Sequence, residues 1–357
     1  MSVLNDVEKI RAVDPENMYN RIFDLPEQLK DALAIGKAWK INKDDFADIK
    51  NIVVIGMGGS AIGGDLARTF LASKLLIPFQ VVRNYTLPEY VDDETLVIAS
   101  SYSGNTEETL SALDDALKRK AMIAAISTGG MLEEVAKLNE IPLVKLPEGL
   151  QPRAAIGYSF VPLMVFLEKI GLIKNVEPEL DAVIKHLTKA RELFIEDSKV
   201  KDNPAKDLAQ KIHGKIPIIY TGPTLIDTVG LRWKGQICEN SKNMAFVNQY
   251  AEFNHNELVG WAEAIKAHKD ALIVIQLRDN DDHPQVYKRM DIVKTIISEL
   301  GIEVIDIKSA GPSQLSRLFY LIQYGDFLSY YLAVLNEVDP SPVLVINRLK
   351  GMLSGSK

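Results

Sequence analysis

TLVIASSYSGNTEET, residues 95–109, joins two kinds of sequence that rarely touch without a reason. Its first six residues have the composition of a short buried strand. The nine that follow, SYSGNTEET (101–109), hold five hydroxyl side chains, a glycine and an asparagine. A plain turn needs one or two such residues. Beyond them the pattern predicts a helix over 106–119, with Glu107 and Glu108 in the first turn, where negative charge suits the helix dipole. The stretch is therefore a strand, a polar loop and a helix start.

The same unit recurs on both sides. IVVIG (52–56), FQVVR (79–83), MIAAIS (122–127) and PLVKL (142–146) read as further strands. Helices are expected from about 60 to 72, over 131–138 and, as a long apolar segment, over about 154–171. Residues 177–213 are mainly helical, and then the alternation restarts. IPIIYTG (216–222), ALIVIQL (271–277) and IEVIDI (302–307) are strands, with helices at about 224–241, 285–299 and 313–336 and a last short helix after VDPSPV (338–343). Strands flanked by helices in this order make parallel sheets covered on both faces. The expected organisation is a helical extension over 1–45, a first α/β domain over 46–175 and a second over 176–357.

Composition narrows the function. With 357 residues, 47% apolar and 25% charged, the chain is long enough for two ordinary cores. The N-terminus is charged and has no apolar core of a secretion signal, and no uninterrupted apolar run is long enough to span a bilayer, so no membrane association is expected. A single cysteine, Cys238, excludes an intrachain disulfide and suits a reducing cytoplasm. The net charge of −7 argues against nucleic acid or an anionic membrane surface as a partner.

Ligands of open α/β sheets bind at strand C-termini, so the two loops there matter most. GMGGSAIGGD (56–65) contains Gly56, Gly58 and Ala61 in the G-x-G-x-x-A spacing of a dinucleotide turn. The acidic residue that should follow at the end of the next strand is absent; Arg83 stands there. Three readings remain: a phosphorylated dinucleotide, glycines that merely permit a tight turn, and Gly58, Gly59 and Ser60 bringing backbone amides close to a sugar. In the second loop Ser101, Ser103 and Thr106 can all donate to one anion at a helix N-terminus, as for a phosphate. An ordinary N-cap by Asn105 or Thr106 would need only one of them.

Together GMGGSAIGG and SYSGNTEET resemble a sugar isomerase (SIS) domain, a doubly wound fold whose Ser/Thr-rich loop holds a sugar phosphate. Three more segments, LPEGLQPRAAIGYSF (146–160), GLRWKGQICENSKNMAF (230–246) and YAEFNHNELVGW (250–261), are similar to the bifunctional phosphoglucose/phosphomannose isomerase family, in the expected order from about residue 50 to the C-terminus. The resemblance implies two SIS-type subdomains and a metal-free, cofactor-free aldose–ketose isomerase acting on fructose, glucose and mannose 6-phosphates.

Such a reaction needs a base at C1 and C2, positive charge beside the developing enediolate, an acid/base for ring opening and a phosphate anchor. The resemblance assigns these to Glu239 as base, Arg153 beside C1–C2 and His255 for ring opening, sixteen positions after Glu239 and reaching the site from a second copy in a homodimer. Lys350 is implied near substrate oxygens, and Ser341 near the sugar. Rotation of the enediol about C2–C3 would let one base serve both epimers. The five histidines are dispersed, without H-x-H or H-E-x-x-H spacing, so no metal is expected. The rivals are a non-catalytic SIS regulator, which would need no Glu239, His255 and Arg153 together, and an NADP-dependent dehydrogenase, which would leave SYSGNTEET idle. A preference for an aminosugar phosphate is a third, within the enzymes.

Overall fold

The computed structural model describes residues 2–223 and 226–355. Helices α1 (Val7–Ala12), α2 (Met18–Phe23) and α3 (Leu25–Ala38) precede the first strand. The first sheet takes β1 (Asn51–Ile55), β2 (Phe79–Val82), β3 (Thr95–Ser101), β4 (Met122–Ser127) and β5 (Leu143–Lys145). Between and after them run α4 (Gly58–Leu71), α5 (Glu107–Lys118), α6 (Gly130–Leu138) and α7 (Ile156–Lys169). Next come α8 (Val176–Ala190) and α9 (Pro204–Ile212). The second sheet holds β6 (Ile216–Thr221), β7 (Phe246–Gln249), β8 (Leu272–Arg278) and β9 (Val304–Lys308). Its helices are α10 (Asp227–Ser241), α11 (Glu257–His268), α12 (Pro284–Glu299) and α13 (Gln314–Leu335), followed by α14 (Leu344–Ser354).

Every strand pair is parallel, in the orders β2-β1-β3-β4-β5 and β7-β6-β8-β9. The first sheet therefore reverses direction between β1 and β3, and a crevice opens at the C-terminal ends of those two strands. The loops that follow them are the glycine turn and the serine loop. In the second sheet the reversal lies between β6 and β8.

One continuous core runs between the halves. Ile52 and Val54 of β1 and Phe160 of α7 belong to it together with Ile219 of β6, Trp233 of α10 and Phe319 of α13. Two smaller clusters cover the outer faces, one around Val53, Val97 and Leu113 and the other around Tyr220, Met290 and Ile297. Alternate residues of each strand serve opposite faces, so Val53 and Val54 enter different clusters. The long helix α13 has the length and apolarity of a bilayer span, but 89% of that window is buried as core.

Several local expectations shift. Helix α4 starts at Gly58 rather than 60, because the glycine turn itself winds into the first helical turn. The segment expected as a helix from about 154 begins as a 3-10 turn, Pro152–Ala154, with α7 starting at Ile156. The expected start of the next helix at 224 falls outside the described residues. Strand β7 and helix α11 add to the elements that the sequence pattern predicts. A four-residue edge strand offers too little alternation to detect. Helix α11, by contrast, carried a legible signal in Leu258, Trp261 and Ile265 behind the capping Asn256.

Candidate active site

Helix α10 presents two stripes of opposite purpose. Arg232, Gln236 and Asn240 recur every four residues and all three are buried. Arg232 donates to Asp326 at 2.7 Å, Gln236 donates to the other oxygen of Asp326 at 2.7 Å, and Asn240 donates to Ser329 at 2.9 Å. Trp233 donates to the Leu321 carbonyl at 2.7 Å, and Gly325 leaves room for its ring, since a Cβ there would lie 2.3 Å from Trp233 Nε1. These bonds fix the rotation of α10 against α13. The neighbouring stripe, Leu231, Gly235 and Glu239, is thereby turned into a cavity of about 160 Å³.

Gly58, Gly59, Arg83 and Arg153 line the same cavity from the first half. Arg153 is 4% exposed, and its guanidinium ties two segments, α10 and the stretch around Pro340, to its own turn. Nε donates to Asn240 Oδ1 at 2.6 Å, and Nη2 donates to the carbonyls of Pro340 and Ser341 at 2.6 and 2.7 Å. Nη1 alone faces Glu239, at 3.5 Å from Oε2. Burial pushes the Arg153 guanidinium down from its ordinary range, and Glu239 opposes that; an arginine stays charged regardless. Deeper in, burial pushes the Asp326 carboxyl up while Arg232 pulls it down.

The glycine turn is the hinge of the assembly. A Cβ on Gly59 would lie 2.4 Å from the Pro152 carbonyl, so glycine lets the turn that carries Arg153 pack against α4. The next residue, Ser60, is buried and its hydroxyl accepts from the Tyr102 N–H at 3.0 Å. One turn thus docks both the Arg153 segment and the serine loop. Gly58 takes φ 49°, the left-handed region that glycine tolerates best.

In the serine loop, Ser101 and Thr106 bring their hydroxyls to 2.9 Å of one another, Ser101 buried and Thr106 half-buried. Thr106 stands at the N-cap of α5 without a side-chain capping bond, and Asn105 instead accepts from the Met131 N–H at 3.0 Å. The plain-cap alternative is therefore not what the hydroxyls do. Ser103 is exposed at the loop tip, where it accepts from the Asn105 N–H at 3.4 Å. Gly104 has φ 69°, and a Cβ there would lie 1.7 Å from the Gly129 carbonyl, so the loop is pinned from below.

Two of the other expected residues lie apart. His255 is exposed at the end of a 3-10 turn, and Lys350 is exposed on α14; neither lines either of the two cavities that Glu239 borders. The segment that carries His255 is nevertheless firmly held. Tyr220 stacks on Phe253 at 3.9 Å between ring centroids, donates to Glu257 and accepts from Trp261 Nε1 at 2.9 Å. Ser341 is buried, and its hydroxyl has no hydrogen-bond partner among the described residues. Sequence reading missed the polar stripe at 232, 236 and 240, although its four-residue spacing was visible, and it missed the pairing of Arg83 with Asp65.

Residues 45–140 match the SIS domain model, and residues 201–353 match the bacterial phospho-glucose isomerase C-terminal SIS domain model. The chain is 46% identical to the bifunctional phosphoglucose/phosphomannose isomerase of Caldicellulosiruptor bescii, over 95% of this chain and all of that one. Identity to the protein of the same name from Aquifex aeolicus is 37%, over 87% of this chain and 93% of that one. In three dimensions it is similar to a glucose-6-phosphate isomerase like protein from Thermus thermophilus, with a TM-score of 0.64, 16% identity and 98% and 99% of the two chains covered. On this identity and coverage the chain belongs to the bifunctional phosphoglucose/phosphomannose isomerase family.

Proposed function

We propose that this protein interconverts fructose 6-phosphate with glucose 6-phosphate and mannose 6-phosphate through a cis-enediol, without metal or cofactor. The observation that carries the reading is the Arg153–Glu239 pair, a buried guanidinium 3.5 Å from a carboxylate that is about one-third exposed in a cavity at the glycine turn. Glu239 moves a proton between C1 and C2, while Arg153 Nη1 stabilises the oxygen on which charge develops. The phosphate is held by Ser101, Ser103 and Thr106 at the start of α5, and the sugar by the amides at Gly58, Gly59 and Ser60. Ser341, whose carbonyl is held by Arg153 at 2.7 Å, is assigned to the sugar side of the site. Enediol rotation about C2–C3 then delivers either epimer from one base. This reading needs no metal, because Glu239 carries the proton and Arg153 meets the developing charge.

His255 acts in ring opening from the second copy of a homodimer. Its exposure, away from the cavities beside Glu239, supports delivery in trans, as do the exposed apolar residues Leu344, Val345 and Leu349 on α14. Lys350 on the same helix joins the site in that assembly. The reading also divides the chain at about residue 175, one SIS unit on each side of α8's start, and places it in the cytoplasm, supported by the single cysteine. A non-catalytic regulator would have no use for Glu239 paired with Arg153.

The test is isomerisation of fructose 6-phosphate in deuterium oxide, followed by NMR. Deuterium at C2 of both aldose phosphates is expected from a proton-transferring base. Complete absence of label at C2 would point to a hydride shift and overturn the enediol step.

A further inference from the structure

Beside Glu239, α10 ends in a residue that the reaction as described does not use. Lys242 closes the helix in the left-handed conformation at φ 55°. A non-glycine residue there is uncommon, and its side chain turns back over the last helical turn. Its ammonium donates to the Glu239 carbonyl at 2.6 Å, the Pro340 carbonyl at 3.3 Å and the Asn240 carbonyl at 3.4 Å. An ammonium has three N–H donors, so all are engaged by backbone and none is left for a substrate. The Pro340 carbonyl is also held by Arg153 Nη2 at 2.6 Å. Two cations from different segments thus share one carbonyl of the strap at residues 338–343.

We propose that Lys242 is a positioning residue for the isomerase: it clamps the C-terminal end of α10 to the strap at Pro340, and so fixes the Glu239 carboxylate against Arg153. The clamp rests on the isomerase reading above. Without it, the α10 end keeps its bonds to α13 through Asn240–Ser329 and Ser241–Asn336. Among the described residues, however, its side-chain tie to the strap then runs through Arg153, and the last turn that carries the carboxylate can drift from the reacting carbons. A misplacement of about 1 Å costs about 10²-fold in rate.

The groups facing the ammonium set how the clamp responds to pH. Burial, and after it Arg153, push Lys242 down to about 8, while Asp339 and Glu239 hold it up; Cys238 lies on the same groove wall. Above that pH the neutral amine has only two N–H donors, and its bonds to carbonyls are no longer charge-assisted.

The experiment is steady-state turnover of fructose 6-phosphate by wild type, Lys242→Met and Lys242→Arg between pH 6 and 10. The expected result is a kcat about tenfold or more lower in Lys242→Met with KM within about twofold, and recovery of at least a third of wild-type kcat in Lys242→Arg. Wild-type kcat should fall as pH rises through about 8, and in Lys242→Arg that limb should move up by at least one pH unit, because arginine stays charged. Should Lys242→Met fail to fold, the position of the limb in Lys242→Arg decides. Unchanged kcat in Lys242→Met, a raised KM at unchanged kcat, or a limb that stays near 8 in Lys242→Arg would each overturn the clamp. Absence of wild-type turnover would overturn the isomerase reading, and the clamp with it.

Discussion

Arg153 Nη1 lies 3.5 Å from Glu239 Oε2, across the seam between two α/β halves whose residues are 86 positions apart in the chain. Nothing local creates this pair. The first half supplies Arg153 from a turn docked on Gly59, and the second supplies Glu239 from a helix locked onto α13. The proposed chemistry therefore depends on the packing of one half against the other.

Glu239→Gln keeps the shape of the proposed base and removes its basicity. Turnover should fall by about 10²–10⁴-fold, with fructose 6-phosphate binding within about threefold of wild type by calorimetry. Equal losses in rate and affinity would argue against a base role.

Arg153→Ala should depress kcat more than affinity. It should also lower stability, by about 2–4 kcal/mol in a denaturant titration, because the Pro340 and Ser341 carbonyls and Asn240 lose their partner. A variant as stable as wild type would mean that these bonds are replaced by water.

In the serine loop, Ser103→Ala should raise KM chiefly if the proposed phosphate site is right, whereas Gly104→Ala should compromise folding, since its Cβ would fall 1.7 Å from the Gly129 carbonyl. An unchanged KM in Ser103→Ala would remove that serine from phosphate binding.

Burial pushes Asp282 up to about 6 from 3.8; the Asp279 N–H that donates to it and Arg278 oppose the shift, while the Asp279 and Asp281 charges add to it. The folded carboxyl thus binds protons more tightly than the unfolded one. Its favourable contribution is complete below about pH 4 and is lost as pH rises through about 6. Asp282→Asn should therefore flatten the decline in melting temperature over this range and make the protein more stable than wild type at pH 7. A variant no more stable at pH 7 would contradict the assignment.

Subunit mixing tests delivery of His255 in trans. Glu239→Gln and His255→Ala, each inactive alone, should regain activity when unfolded and refolded together, because one of the two sites in a mixed dimer is then intact. No recovery would place His255 in the site of its own subunit or outside catalysis.

Much of the fold could be read from apolar runs such as IVVIG and TLVIAS, because a strand buried on both faces needs little beyond them. The two loops were legible for a related reason: they follow β1 and β3, the strands between which the sheet reverses. Short edge structure was not, and β7 left no periodicity to read. Glu239 and Arg153 stood out only through resemblance, since a glutamate on a helix and an arginine in a turn carry no local mark of pairing. Lys242 was invisible because its partners are backbone carbonyls, one of them in the distant strap around Pro340.

The central claim is that one base at Glu239 serves two epimers without metal. Chelator-treated protein should be given fructose 6-phosphate, with glucose 6-phosphate and mannose 6-phosphate scored separately by coupled assays. Both products at rates unaffected by the chelator are predicted. Fructose 6-phosphate bound but neither product formed would contradict the account.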